Sequence, residues 1–222
     1  MICFESQESL RRYKNFLSRW EYVISQYYSG RRRNIVEARR EYTWPGSRDS
    51  LERRIKQTLV ENDNAVTLDV FEEVEHWGFG VKTISKHNDQ ETVLHKTRTA
   101  FEYLKLGKLR EAAEELDSLP HVGPSRATKL LALSNQKLYG IYDARASNAL
   151  REVNYLAGEI LIPVLPGRTI VGTGGNHAAG FENFTWALRF MLNKFSTEYA
   201  ECKRWRAADI EMGLFILGRK YV

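Results

Sequence analysis

The chain has 222 residues, of which 43% are hydrophobic and 27% are charged, and its formal net charge is +5. These values are typical of a globular protein with a substantial core. No apolar run is long enough to span a membrane, and the first thirteen residues lack the pattern of a secretory signal. Two cysteines, Cys3 and Cys202, exclude a disulfide framework and a four-cysteine iron–sulfur cluster. We therefore expect a cytoplasmic protein with no membrane partner.

Positive charge is concentrated at the start of the chain. Residues 1–56 contain thirteen Lys and Arg against seven Asp and Glu, whereas residues 57–81 contain six acids and no Lys or Arg. A protein that contacts a polyanion would place the first segment near it and turn the second segment away. The distribution is compatible with nucleic-acid binding but is no proof of it.

The first predicted element is an amphipathic helix of about five turns that ends near Gly30. Its apolar positions recur at steps of three and four: Leu10, Tyr13, Leu17, Trp20, Ile24 and Tyr27. The basic runs 31–33 and 39–40 follow, either as a solvated face or as an arm that contacts phosphates. We assign residues 1–45 to a basic N-terminal helical extension and residues 46–222 to a second domain.

Four helices are predicted before the middle of the chain, over residues 49–62, about 68–78, 90–106 and 109–118. The second of them has Thr67 as its cap and ends at Gly78, so that 77–80 forms a turn with two large rings. Those rings, Trp77 and Phe79, have two readings, as an aromatic core corner or as part of a binding pocket.

A tight turn over residues 119–127 is the most informative stretch. Pro124 suits the first turn of the helix that follows, and Gly123 allows a positive φ. A turn that leads into a helix N-terminus directs N–H groups and partial positive charge outward, which suits a phosphate. Arg126 and Lys129 add full charges on the same helix. A plain helix–turn–helix connection is the alternative reading.

The second half of the chain is predicted to be largely helical. Asp143 lies at or just before the start of a helix that runs to about Ala157, where an ordinary N-cap is the simplest role. A short strand near 160–171 and a glycine-rich loop over 167–180 follow, with Arg168 and His177 as candidate contacts. Residues 183–196 form a helix, and the last helix has one apolar face: Trp205, Ala208, Met212, Phe215 and Ile216.

The order of residues 119–127 resembles the helix-hairpin-helix of DNA-repair proteins, and residues 137–145 are similar to the segment that carries the catalytic Asp in the helix-hairpin-helix/Gly-Pro-Asp superfamily of DNA glycosylases. Residues 205–215 resemble the last helix of the 8-oxoguanine DNA glycosylase branch. The resemblance covers roughly 66–220. It implies an all-α fold of two helical subdomains with the active-site cleft between them, and a hairpin at about 110–133.

The same resemblance implies roles for individual residues. Asp143 would be catalytic, and the base pocket would contain Trp77, Phe79, Glu211 and Phe215. DNA would be bound by the hairpin residues His121, Val122, Gly123, Ser125, Arg126 and Lys129. No cofactor is implied, apart from a monovalent cation that hairpin carbonyls could bind, and no metal cluster has ligand spacing. The expected partner is double-stranded DNA with a damaged or modified base, bound by a monomer.

Two residues depart from the family pattern. His121 stands where the hairpin usually has its first glycine; His tolerates the left-handed region better than most residues. Ser125 stands where bifunctional members carry a lysine, 18 residues before Asp143, and Lys129 one turn on is a weak substitute. We therefore predict a monofunctional glycosylase, in which water and not an amine attacks the sugar.

Three other functions are weighed against this one. A helical protein-interaction domain with no DNA role would leave the pairing of the hairpin with Asp143 unexplained. A glycosylase of the same fold could remove bulky modified bases of phage DNA in defence, which the unusual hairpin and the basic N-terminus would suit. A non-catalytic helix-hairpin-helix protein would bind DNA without releasing a base. The size of the base pocket would distinguish the defence enzyme from an enzyme that removes oxidised purines. The non-catalytic alternative predicts that substitution of Asp143 has no effect, which distinguishes it from both enzymes.

Overall fold

A computed structural model describes residues 6–43, 48–165 and 176–219. Over these residues the protein is all-helical, without strands, which confirms the expected all-α class. The α-helices are α1 Gln7–Glu41, α2 Arg48–Glu61, α3 Leu68–Phe79, α4 Gln90–Lys105, α5 Leu109–Asp117, α6 Gly123–Ser134, α7 Ala144–Ala149, α8 Arg151–Ala157, α9 Asn176–Glu198 and α10 Ala207–Gly218. Two short 3-10 helices are Ile84–Lys86 and Ala200–Arg204. No helix among the described residues is long and apolar enough to cross a membrane.

Helix α1 is longer than the sequence predicted, because it continues through Gly30 for a total of 35 residues. Beyond Gly30, Ile35 and Val36 are buried in the core, and α1 packs closely along α10. Gly213 on α10 permits this approach, since a Cβ there would lie 2.7 Å from the carbonyl oxygen of Ile35. This packing outweighs the local cost of a helical glycine, about 1 kcal/mol. The predicted helix end at Gly30 is therefore wrong.

The basic runs of the N-terminal segment lie on α1 itself. Several of their arginines form ion pairs with carboxylates from the second half of the chain: Arg31–Glu152 at 2.8 Å, Arg32–Glu198 at 3.8 Å, Arg39–Asp209 at 2.7 Å and Arg40–Glu201 at 2.6 Å. Apolar residues of α1 and of the helices after it also share one hydrophobic cluster. Part of this positive charge is therefore matched within the chain.

Helix α10 is buried on all sides and not on one face. Eleven of its twelve residues are buried, all except Leu217, and it packs against α1, α7 and α9. A helix that is apolar all round is expected at the centre of a domain. The single apolar face predicted from the sequence is corrected accordingly, and Trp205 precedes the helix.

The remaining predicted helices are present, although α3, α9 and the helix after Asp143 differ in extent from the prediction. α3 runs past Gly78 to Phe79 and ends at Gly80, whose φ of +71° closes the helix. The helix after Asp143 is interrupted at Leu150, which separates α7 from α8.

The region between α8 and α9 was predicted as a possible strand followed by a loop. Residues 160–165 form no strand, and the chain from Asn176 onward already belongs to α9. Residues 166–175, which contain Arg168 and most of the expected glycine-rich loop, lie outside the described residues.

Candidate active site

The hairpin joins α5 to α6 through residues 118–122. Leu119 and Val122 are 2% and 1% exposed, so their side chains fix the loop to the core. His121 and Gly123 have φ values of +63° and +61°. The left-handed geometry expected at both residues is therefore confirmed, and His121 adopts it without being a glycine. Pro124 lies in the first turn of α6, as predicted.

Side chains from neighbouring elements hold this loop in place. The Asn88 amide donates to the carbonyl oxygen of Pro120 at 2.9 Å, and the ring of His87 stacks on His121 with centroids 3.6 Å apart. The Arg126 guanidinium donates to the carbonyl oxygen of His121 at 3.1 Å. A cation bound by these carbonyls would have to share them with protein donors.

Arg126 also binds Glu75, which is fully buried on α3. Arg126 Nε lies 2.7 Å from a Glu75 oxygen, and the carboxylate also accepts the amides of Thr83 and Ile84 and the Thr83 hydroxyl. Burial acts to raise the pKa of Glu75, but these hydrogen bonds and Arg126 outweigh it, so the pKa lies below its usual value. Arg126, predicted to contact phosphate, is therefore engaged in fixing the hairpin against α3.

Asp143 is the N-cap of α7, as the sequence predicted. Its Oδ1 accepts the amide of Ala146 at 2.9 Å, and its carbonyl accepts the Ser147 hydroxyl at 2.7 Å. Thr128 on α6 donates to the carbonyl oxygen of Tyr142 at 3.0 Å, which ties this segment to the hairpin helix. The side chain is half-buried, so α7 holds a carboxylate beside the hairpin without enclosing it.

Lys129 lies in the interior and not on the outer face of α6. It is 5% exposed, its amine donates to the Ser125 hydroxyl at 3.1 Å, and the amine lies 4.4 Å from the centre of the Phe79 ring. Burial lowers the pKa of Lys129, against the opposing influence of Asp143 and Glu211. The phosphate contact predicted for Lys129 would require its amine at the surface, where it does not lie.

A buried ion pair borders this lysine and was not anticipated from the sequence. Arg48, at the start of α2, contacts Glu211 of α10 through two hydrogen bonds, the shorter of 2.6 Å. Its guanidinium lies over two rings, 5.1 Å from the centre of Tyr42 and 5.3 Å from that of Trp77. In the described chain, Arg48 Nε is buried without a hydrogen-bond partner.

The ionisable groups here influence one another. Burial raises the pKa of Glu211 and Arg48 opposes that shift, while burial also raises the pKa of the Tyr42 hydroxyl to about 12. Asp143 contributes to the shifts of Tyr42, Lys129 and Glu211. The carboxylate at 143 and the buried groups therefore form one electrostatic cluster, which we call the Lys129 cluster: Tyr42, Arg48, Lys129, Asp143 and Glu211.

The four residues predicted to form the base pocket do not all meet. Trp77 and Glu211 both contact Arg48, and Phe79, which is 39% exposed, covers Lys129. Phe215 belongs to a second, smaller apolar cluster, where it packs edge-on to Tyr42 with centroids 5.8 Å apart. Glu211 is therefore a member of the Lys129 cluster, Trp77 and Phe79 border it, and Phe215 reaches it through Tyr42.

A cavity of about 420 Å³ lies elsewhere, among α1, α7, α8 and α10. Its lining includes Tyr27, Arg31, Asn148 and Tyr155 but none of the predicted site residues. Because none of the predicted site residues lines this cavity, we locate the candidate site from its ionisable groups.

Comparisons with protein-family models, with curated proteins and with solved structures find no match to this chain. Among the described residues, no group of three or more His, Cys, Asp and Glu side chains could hold a metal ion. The function is therefore inferred from the residues of the hairpin and of the Lys129 cluster.

Proposed function

We propose that the protein is a DNA glycosylase, which hydrolyses the N-glycosidic bond of a damaged or modified base flipped out of duplex DNA. The observation that carries the proposal is an N-cap carboxylate, Asp143, grouped with a buried amine, Lys129, directly behind a hairpin that leads into a helix N-terminus. Binding to the DNA backbone alone does not require a buried lysine, whose desolvation costs free energy.

The hairpin supplies the contact to the DNA strand. The first amides of α6 have no acceptor within the helix and carry the positive end of its dipole, which favours a phosphate. The left-handed residues His121 and Gly123 turn the backbone sharply at this point, and Arg126 ties the loop to Glu75 on α3. Phosphate contacts of this kind fix the register of the strand and carry no sequence information.

Asp143 supplies the charge that the reaction needs. Positive charge develops on the sugar as the bond between C1′ and the base nitrogen breaks, and a fixed carboxylate stabilises it. The same carboxylate can accept a proton from an attacking water. Its position as the N-cap of α7 places it beside the positive end of that helix.

The flipped base requires a pocket with flat faces and polar groups. Unstacking a base costs a few kcal/mol, which favours damaged or weakly paired bases. Trp77 and Phe79 offer rings beside the cluster, and Arg48 and Glu211 offer donors and acceptors with fixed orientation. Oxidised guanine is the first base to test, because residues 205–215 resemble the last helix of the 8-oxoguanine DNA glycosylase branch.

The experiment is a panel of duplexes, each with one lesion or modified base, from which released free base is measured by mass spectrometry. We expect one class of base to be released catalytically. DNA binding without release from any duplex would favour the non-catalytic alternative, and release restricted to bulky modified bases would favour the defence enzyme.

The role of Asp143 is tested by D143N on the duplex that the panel identifies. Asn caps a helix as well as Asp does, so we expect a folded variant that binds DNA and loses about 10²–10³-fold in base release. D89N is the matched control, since Asp89 caps α4 in the same way, through the Thr92 amide at 2.7 Å. Native release rates in D143N, or an equal loss in D89N, would reject the assignment.

A further inference from the structure

The cavity among α1, α7, α8 and α10 is separate from the proposed glycosylase site, since no residue of the Lys129 cluster lines it. Its volume of about 420 Å³ lies within the range of small-molecule pockets, about 300–1,000 Å³. The Tyr27 hydroxyl donates to the carbonyl oxygen of Ala149 at 2.9 Å and joins α1 to α7. The Arg31 guanidinium lies 2.8 Å from a Glu152 carboxylate oxygen and joins α1 to α8. These contacts hold the walls of the cavity in place without a ligand.

Asn148 on α7 supplies a hydrogen-bond acceptor that the fold leaves unused. It lines the cavity and is 5% exposed. Its amide nitrogen donates to the carbonyl oxygen of Gly218 at 3.4 Å, and because a carbonyl accepts only from a donor, this contact assigns the orientation of the amide. Its Oδ1 is buried without a hydrogen-bond partner among the described residues. A buried acceptor in this state costs free energy, which a ligand that donates an N–H would offset.

Arg151 brings an unmatched positive charge to the same cavity. It lines the cavity and is exposed. The charge of Arg31 is matched by Glu152, whereas Arg151 forms no ion pair with any described residue. The guanidinium presents its donors in a planar fork that suits a phosphate or a carboxylate. A ligand that fills this cavity is therefore expected to carry an anionic group.

An aromatic ring lies at the mouth of the cavity. Tyr155 is one of the lining residues and is 86% exposed. A single exposed tyrosine is ordinary, but this one stands beside an unused acceptor and an unmatched arginine. A flat heterocycle can stack on such a ring, and every nucleic-acid base has a face that does so.

We propose that this cavity binds a nucleotide, with an N–H of the base donated to Asn148, the base stacked on Tyr155 and the phosphate at Arg151. A fatty acid offers no N–H donor, and an inorganic anion offers no ring. A neutral heterocycle would leave the arginine without an anion. The inference does not rest on the proposed function, because the cavity and the Lys129 cluster share no residue.

A nucleotide can reach the cavity free in solution or as one unit of a single strand, and both forms carry the same three groups. Isothermal titration calorimetry of the full-length protein measures binding of the nucleoside monophosphates found in DNA, of the matching nucleosides and of inorganic phosphate. We expect saturable binding of at least one nucleotide. Its nucleoside should bind about tenfold more weakly, because it leaves Arg151 without an anion. Inorganic phosphate should bind more weakly than the nucleotide, because it provides neither the ring nor the N–H.

Three variants and a control assign the contacts. R151A should lower the affinity for the nucleotide to that for the nucleoside and leave nucleoside binding unchanged. Y155A should weaken both ligands about tenfold through the loss of stacking, and N148A should also weaken both. Y22A is the matched control and should bind as wild type does, since Tyr22 on α1 is 73% exposed and does not line the cavity.

Thermal unfolding of each variant checks that it is folded. Arg151 and Tyr155 are exposed, so their variants decide the question even where the loss of Asn148 disturbs the packing of α7. Absence of saturable binding by every nucleotide, phosphate binding as tight as nucleotide binding, or equal affinities in Y155A and Y22A would overturn the inference. Displacement of the bound nucleotide by a short single strand would assign the strand as the source, and nucleotide binding that the strand leaves unchanged would assign the free nucleotide.

Discussion

Glu75 on α3 and Lys129 on α6 are both buried ionisable groups. They differ in how many hydrogen-bond partners each one has. Glu75 is surrounded by donors: an arginine, a hydroxyl and two backbone amides bind its two oxygens. Lys129 has a single hydroxyl as its hydrogen-bond partner among the described residues. The pKa of Glu75 is lowered, which favours its charged form, whereas the pKa of Lys129 is lowered, which favours its neutral form.

This difference distinguishes a buried charge that stabilises the fold from one that is available for chemistry. A buried charge with all its hydrogen bonds satisfied holds elements together, and here it joins the hairpin to α3. A buried amine with one neutral partner reduces stability, and such groups are concentrated at functional sites. The comparison therefore predicts opposite effects on stability when each charge is removed.

The largest effect is expected at Glu75. E75Q should lower the free energy of unfolding by about 3 kcal/mol at neutral pH, because Arg126, whose side chain is 14% exposed, loses the charge that it pairs with. The measurement is urea unfolding, with E72Q as a control on the same helix, where Glu72 is more exposed and binds Ser85. Equal losses in the two variants would contradict the special role of Glu75.

The pH dependence of the same variant has a definite sign. Because the folded state lowers the pKa of Glu75 below its usual 4.5, its contribution is fully present above that value and is lost as the pH falls through the folded pKa. The stability difference between wild type and E75Q should therefore shrink in acid. A difference that stayed constant down to the folded pKa would reject the charged pairing.

A smaller effect of opposite sign is expected at Lys129. K129M should raise stability by roughly 1 kcal/mol at neutral pH, since an apolar side chain of similar length replaces a buried amine. The cost of the wild-type lysine is full below its folded pKa and disappears as the pH rises toward 10.5. K129M should thus lose its advantage in alkali. A variant that is less stable than wild type across this range would show that the amine is structural.

The smallest effects are expected at two glycines, where no charge is changed. A Cβ at Gly30 would meet nothing within 4 Å, so G30A should stabilise the protein by about 0.5–1 kcal/mol through helix propensity. G213A should destabilise it, because its methyl group would meet the backbone of Ile35. Thermal unfolding of both variants checks this. Stabilisation by G213A would contradict the close crossing of α1 and α10.

Local features of the hairpin could be predicted because the sequence specifies them within a few residues. The positive φ values at His121 and Gly123 and the cap formed by Asp143 follow from the short-range chemistry of glycine, histidine and aspartate. Most helices are likewise specified by apolar residues at helical spacing within each segment.

The interior of the site could not be predicted, because it is assembled from distant segments. Arg48 and Glu211 are 163 residues apart in the chain, and nothing near either residue indicates the pair. The burial of Lys129 depends on Gly78 and Phe79 of another helix. The continuation of α1 through Gly30 likewise depends on α10, whose contact overrides the local preference.

The most direct test of the proposed function compares base release by wild type and D143N on the duplex that the lesion panel identifies, with DNA binding measured on the same duplex. A carboxylate that stabilises the developing charge on the sugar predicts a loss in release of about 10²–10³-fold with DNA affinity unchanged. Release by D143N at the native rate, or an equal loss of release and of DNA binding, would contradict this role.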